Sequence, residues 1–347
     1  MAVDRFDTLP DGRDIHRVVL GAEPGVVLHL LTLGATVQRL DVTCGDGVRR
    51  GVALGRPTAA GYLAATDYLG GTIGRYANRI AHGRFDLDGQ PVTVGVNDRG
   101  HHLHGGPDGF DRRLWTVEAH DATSASLRLR SPHGDQGFPG TLDVVARFEV
   151  EGSRVGVAFE ATSDRTTVVN LTSHVYWNLD GVGAGPVDDH ELTVAADRFT
   201  PVDPLGIPLG EHAEVAGTGF DCRVPTRIGS VLGSDEAQVR QAGGLDHNYV
   251  IRGTGMRTAA VLVSRSTRTR MELRTDQPGL QVYSGTHLDE PRSGVALEPQ
   301  LFPDSPHHPA WPTARLEPGQ TYRAALSWDL SPHREPSADR PAALAPA

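Results

Sequence analysis

Alternation with a period of two, interrupted at short intervals by glycine or proline, constrains this chain more than any other feature. Residues 142–160 read LDVVARFEVEGSRVGVAFE, two alternating runs around the turn Glu151-Gly152-Ser153. Successive side chains of a strand point to opposite faces, so each run has an apolar and a polar face, and the turn joins them as a hairpin. The pattern recurs at residues 26–42, two short strands around Gly34, and at 259–264, 270–275, 280–283 and 322–330. Few windows carry the helical period through three turns. Short helices are expected only at residues 57–65 and 234–242. Many short strands without intervening helices predict an all-β sandwich or barrel. The 41 glycines and 24 prolines supply the turns such a fold needs.

No linker-like shift in composition interrupts residues 5–335, so they read as one domain. The Pro/Ala-rich end, residues 336–347, reads as a disordered tail. A net charge of −10 argues against nucleic acid and anionic membrane surfaces as partners. No apolar run approaches the ~20 residues that span a bilayer, and the first residues carry no apolar signal segment. A soluble cytoplasmic protein, monomeric or homodimeric, is the expectation. Cys44 and Cys222, the two cysteines, form neither a disulfide framework nor a CxxC pair.

Chemistry concentrates in a few stretches. Residues 294–309 read GVALEPQLFPDSPHHP. As a strand this places Val295 and Leu297 on one face and Ala296, Glu298 and Gln300 on the other. Pro299 and Pro303 stiffen the segment, and a general base works best when rigidly held. The alternative is a solvated charge on an edge strand. Residues 170–179 read NLTSHVYWNL. As one strand, Thr172, His174, Tyr176 and Asn178 share a face without Lys, Arg or Glu, which suits a cleft for a neutral polar ligand. His174 is either functional there or a satisfied structural histidine.

In HHLHGG, residues 101–106, three histidines invite a metal reading. His101 and His102 would face oppositely, however, and no Cys cluster or HExxH helix accompanies them. His104 as a hydrogen donor to a ligand is the better reading. GGTIGRYANRI, residues 70–80, lacks Walker spacing. Its Asn78 and Arg79 suit a neutral polar ligand or a surface pair. Asp246 in GGLDHNYV and Gln277 in TDQPG are each either turn residues or ligand contacts.

GRYANRI, LHGG, NLTSHVYWNL, GLDHNYV, TDQPGLQVYSG and ALEPQLFPDSPHHP occur in an order, across residues 74–308, that resembles the aldose 1-epimerase (galactose mutarotase) family. The resemblance implies a large antiparallel β-sandwich, the galactose mutarotase-like supersandwich, with few short helices and a sugar cleft on a concave face. It implies Glu298 as general base and His174 as general acid. Arg79 and His104 would act near the ring oxygen and C1. Asp246 would hold sugar hydroxyls, with Asn78, Tyr176 and Gln277 completing the binding site. The implied partner is a free aldose, and no metal or other cofactor is implied. A non-catalytic sugar-binding protein, or an epimerase for another aldose or a hexose-6-phosphate, is the alternative. Three positions depart from the family pattern: His101 stands for an asparagine, Trp177 for a phenylalanine, and Ser284-Gly285-Thr286 for Thr-Gly-Asn.

The residue types fit the implied reaction. Opening a hemiacetal ring needs a proton removed from the C1 hydroxyl and one delivered to the ring oxygen. A carboxylate and an imidazole supply both, since histidine with its ordinary pKa of ~6.5 exchanges protons near neutrality.

Overall fold

The computed structural model describes residues 3–334. Five-, nine- and six-stranded antiparallel sheets carry most of them. The nine-stranded sheet contains the hairpin expected at residues 142–160. Leu142–Glu151 pairs with Arg154–Ser163 in continuous register from Glu151↔Arg154 to Leu142↔Ser163. The strand Tyr322–Pro332 lies between Arg154–Ser163 and Thr269–Thr275. This strand, the last among the described residues, thereby ties two sequence-distant halves of the sheet together. It extends two residues past the expected end at Leu330. The expected tail, residues 336–347, lies outside the described residues.

The six-stranded sheet runs in the order Tyr176–Trp177, Val295–Gln300, Gly279–Tyr283, Asp246–Ile251, Ala196–Thr200, Ala213–Glu214. One face carries Val295, Leu297, Leu280, Val282 and Tyr249. These join Val144, Phe148, Leu326 and Trp328 of the nine-stranded sheet in a single apolar core. Trp177 and Trp328, both fully buried, meet edge to face with ring centroids 5.1 Å apart and link the sheets. Burying such side chains is the main favourable term in folding, roughly 1.5–3 kcal/mol for each large aliphatic or aromatic group. The opposite face of the six-stranded sheet is polar and lines a cavity.

Three short α-helices occur among the described residues, Ala59–Ala64, Ile228–Leu232 and Ala237–Ala242. Two fall where the sequence predicts them. Thr58 caps the first by accepting from Gly61 N–H at 3.2 Å. The second is only five residues long and contains Gly229, so it leaves no periodic signal. Among the described residues no helix is long and apolar enough to cross a membrane.

Candidate active site

Glu298 sits on Val295–Gln300, an interior strand between Gly279–Tyr283 and Tyr176–Trp177. It is 1% exposed, which removes the edge-strand alternative. The predicted facing holds: Val295 and Leu297 enter the core while Glu298 turns to the cavity. Cross-strand register sets Glu298 opposite Gln281, Gln281 opposite Asn248, and Asn248 opposite Thr200. A polar rung therefore crosses four strands.

Residues 170–179 do not form the single strand that their alternation predicts. Thr172–Ser173 pairs with Thr72–Ile73, and Tyr176–Trp177 pairs with the Glu298 strand. Between them the chain changes partners at His174. Its N–H donates to the Gly71 carbonyl and its carbonyl accepts from Gly70 N–H, both at 2.9 Å. Gly70 has φ +69°, and a Cβ there would lie 2.2 Å from the Val37 carbonyl oxygen. Only glycine allows this approach, so the glycine-rich stretch holds the His174 backbone in place. The switch leaves His174 and Tyr176 on the cavity. It removes Thr172 and Asn178, whose side-chain Nδ2 donates to the Gly185 and Ser293 carbonyls.

The two groups meet. His174 Nε2 lies 3.5 Å from Glu298 Oε1, with both side chains almost fully buried. Among the described residues, Glu298 Oε2 and His174 Nδ1 have no hydrogen-bond partner. Burial pushes the Glu298 carboxyl well above the ordinary carboxylate range. Asp246 adds to the shift and Arg79 opposes it. Burial lowers His174 to about 4. Both shifts share their largest cause, the cost of burying a charge. Both favour the neutral forms, a protonated Glu298 beside an uncharged His174.

The GRYANRI and LHGG stretches brace each other. Asn78 N–H donates to His104 Nδ1 at 3.1 Å, and His104 N–H donates to the Asn78 carbonyl at 3.1 Å. The first bond occupies the Nδ1 lone pair, so a neutral His104 carries its hydrogen on Nε2. Gly105, at φ +92°, allows this contact, since a Cβ there would lie 1.8 Å from the Gly74 carbonyl oxygen. Nitrogen and oxygen donors of His104, His174 and Glu298 lie within 4.8 Å of one another, a grouping able to surround a cation. With Nδ1 engaged and Nε2 protonated, His104 offers a hydrogen donor rather than a metal lone pair. Arg79 Nε donates to Asp98 Oδ2 at 2.8 Å, and the Arg79 carbonyl accepts from Asp304 N–H. Asp304, in the turn after the Glu298 strand, therefore fastens that strand to the arginine.

The cavity measures about 730 Å³, and Glu298, His174, Asn78, Arg79, His104, Tyr176 and Asp246 all line it. Tyr176 presents its ring, because its hydroxyl donates to the Asp67 carbonyl at 3.1 Å. Gln277 lies outside the lining. Its Nε2 donates to Asp276 Oδ1 at 2.7 Å in the turn before the strand. The glutamine on the cavity is Gln281, whose Nε2 donates to Asp246 Oδ1 at 2.6 Å. Alternation in LQVY carries that signal, with Gln281 and Tyr283 on one face and Leu280 and Val282 on the other. Tyr68 and Asp98 also line the cavity, from irregular loops that leave no periodic trace. The Tyr68 ring centroid lies 4.6 Å from that of His104 and 5.9 Å from that of His174.

The sandwich of large antiparallel sheets with its polar cavity defines a class, the all-β galactose mutarotase-like fold. The Aldose 1-epimerase family matches residues 16–328. Aldose 1-epimerase of Escherichia coli K12 is 38% identical over 336 residues, covering 92% of this chain and 96% of that protein. Galactose mutarotase of Bos taurus is 38% identical over 307 residues, 85% of this chain and 88% of that one. The crystal structure of galactose 1-epimerase from Lactobacillus acidophilus superimposes with TM-score 0.86 at 29% identity, covering 96% of this chain and 99% of that one. The GalM/aldose epimerase homologue of C. elegans gives the same TM-score and identity over 92% of this chain and 99% of that one. The chain belongs to the aldose 1-epimerase family. Its three departures from the family pattern, at His101, Trp177 and residues 284–286, all lie outside the cavity lining. His101 Nδ1 accepts from His82 N–H, Trp177 packs in the core, and Ser284 Oγ accepts from Leu245 N–H.

Proposed function

We infer that this protein is an isomerase that interconverts the α and β anomers of a free aldohexose of the glucose or galactose type. The observation that carries the reading is the 3.5 Å approach of His174 Nε2 to Glu298 Oε1 on a cavity wall, in a chain of this family.

In ring opening, Glu298 takes the proton from O1 while His174 delivers one to O5. The C1–O5 bond breaks, C1 and O1 become a carbonyl, and the open-chain aldehyde forms. Rotation about C1–C2 exposes the other face of C1. Closure runs the two transfers in reverse and restores both side chains. Protons and electrons balance within sugar and protein, so the reaction requires no redox partner. A carboxylate with a raised pKa is a stronger base once ionised, and an imidazole with a lowered pKa is a stronger acid once charged. The working form therefore places the shared proton on His174. Arg79 and the Nε2–H of His104 favour oxygen as it gains negative charge. Asp246, aligned by Gln281, accepts from sugar hydroxyls, and Asn78 and the Tyr176 ring complete the wall.

The charge of the lining supports a neutral sugar over a hexose-6-phosphate. Arg79, Arg99 and Arg240 stand against Asp67, Asp98, Asp203, Asp246 and Glu298, so the cavity has no cationic excess for a phosphate.

Polarimetry on freshly dissolved α-D-glucose and α-D-galactose tests the proposal. Wild type should bring both to equilibrium far faster than buffer. Glu298→Gln should be slower by ~10²–10⁴-fold, the usual worth of a positioned base, with an unchanged circular dichroism spectrum. Sugar binding without any acceleration would make the protein a sugar-binding module instead.

A further inference from the structure

Arg79 is a long, flexible side chain that has to meet oxygen at a fixed point, and it helps there only if it is held before the sugar arrives. Its backbone is fixed on both sides. The Arg79 N–H donates to Asn78 Oδ1 at 2.8 Å, and its carbonyl accepts from Asp304 N–H at 2.9 Å. The guanidinium is held by other parts of the chain. Among the described residues, Asp98 is its one hydrogen-bonding partner, accepting from Nε at 2.8 Å. That bond leaves the Nη hydrogens for substrate. Asp98 is held in turn, since Arg99 donates to it from Nε at 3.3 Å and from Nη2 at 3.4 Å.

A compact turn, residues 202–208, lies over the same guanidinium. Asp203 organises it. The Asp203 N–H donates to the Ile207 carbonyl at 2.8 Å, and its carbonyl accepts from Gly206 N–H at 2.9 Å. Its Oδ1 accepts from the N–H groups of Leu205 and Ile207. Arg99 ties this turn to Asp98, because its Nη1 donates to the Pro204 carbonyl at 3.3 Å. At Gly206 the turn comes down on Arg79. A Cβ there would lie 2.8 Å from Arg79 Nη1, 3.0 Å from Cζ and 3.2 Å from Nε. Similar distances to three atoms of one plane set Gly206 over the face of the guanidinium rather than at its edge. Its φ of +83° is a second demand for glycine. A side chain at this position would have to displace a guanidinium that Asp98 holds by Nε.

We propose that Asp98 and Gly206 are positioning residues for the reaction, two jaws that hold Arg79 where oxygen gains negative charge. Asp98 fixes the guanidinium in its plane, Gly206 fixes it from above, and Arg99 links the two jaws. Both act through Arg79 rather than on C1 or O5. This rests on the epimerase reading and adds to it what keeps one of its groups in place.

The test is polarimetry on fresh α-D-glucose with the full chain, comparing wild type with Gly206→Ala, Gly217→Ala, Asp98→Ala and Asp98→Asn. Gly217 is the control for backbone strain, since it has φ +76° but a Cβ there meets nothing within 4 Å. A misplacement of about 1 Å can cost up to ~10²-fold, so Gly206→Ala should lower kcat and kcat/KM together by roughly 10–100-fold. Gly217→Ala should stay within about twofold of wild type, because its strain touches no cavity group. Asp98→Ala should lower kcat by roughly tenfold, and Asp98→Asn, whose amide oxygen still accepts from Nε, should recover to within about threefold of wild type. Circular dichroism should be unchanged throughout. Gly206→Ala as fast as Gly217→Ala overturns the upper jaw. Asp98→Ala at the wild-type rate, or Asp98→Asn as slow as Asp98→Ala, overturns the other, and this pair decides the proposal even if Gly206→Ala does not fold. Wild type relaxing glucose at the buffer rate overturns the epimerase reading itself.

Discussion

The nine-stranded and six-stranded sheets share one core and one alternation rule, yet their second faces differ. The outer face of the nine-stranded sheet is charged and wet. Arg323 meets Glu160 at 3.1 Å and Arg147 meets Glu149 at 2.7 Å, with all four side chains more than half exposed. The second face of the six-stranded sheet carries Thr200, Asn248, Gln281, Glu298 and Gln300, all buried. Among the described residues, both amide atoms of Asn248 and Gln300, Gln281 Oε1 and Glu298 Oε2 have no partner. A buried polar group without a partner costs about 1–3 kcal/mol, so folding alone would not select this face. One sheet uses its polar face to meet water. The other closes its polar face in, and that makes a carboxylate basic and an imidazole acidic.

The contrast can be broken from either side. The largest effect on stability is expected at the shared core. Trp328→Ala should cost about 3–5 kcal/mol, as for other buried aromatic truncations. The urea midpoint reads the loss, and the folded fraction should retain its mutarotation rate. The closed face should next reveal itself in pH dependence. Burial disfavours imidazolium, so the pair takes its second, inactivating proton only when acid overcomes that cost. The rate should therefore hold as pH falls past ~6.5, the ordinary imidazole value, and decline near about 4, with near-UV circular dichroism reporting that the fold persists. A decline at the ordinary value would mean that His174 titrates as if in water. The smallest effect belongs to the open face. Arg323→Ala should change stability by less than about 0.5 kcal/mol, because exposed ion pairs are screened and entropically costly.

Both sheets announce their strands in the sequence, because period-two alternation survives wherever one face is apolar. The hairpin at residues 142–160 and the facing of Glu298 were legible for that reason. His174 and Tyr176 were legible chemically, on a stretch that carries no Lys, Arg or Glu. Long-range partners were not legible. Alternation through residues 170–179 carries no sign that the chain changes partners at His174, because that switch depends on Gly70 and Gly71, a hundred residues earlier. Tyr68 and Asp98 were hidden because loop residues have no period. Gln277 lies in a turn that strand alternation does not reach, whereas register places Gln281 beside Glu298. The epimerase family resemblance supplied the remaining roles.

The central claim is that Glu298 and His174 act as one proton-sharing unit across 3.5 Å. A double-mutant cycle measured by polarimetry on α-D-glucose tests it most directly. Glu298→Gln and His174→Asn should each slow interconversion by ~10²–10⁴-fold, and the double variant should be no more than about threefold slower than the slower single variant. Losses that multiply, taking the double variant to the buffer rate while both singles remain clearly above it, would show two independent groups and contradict the account.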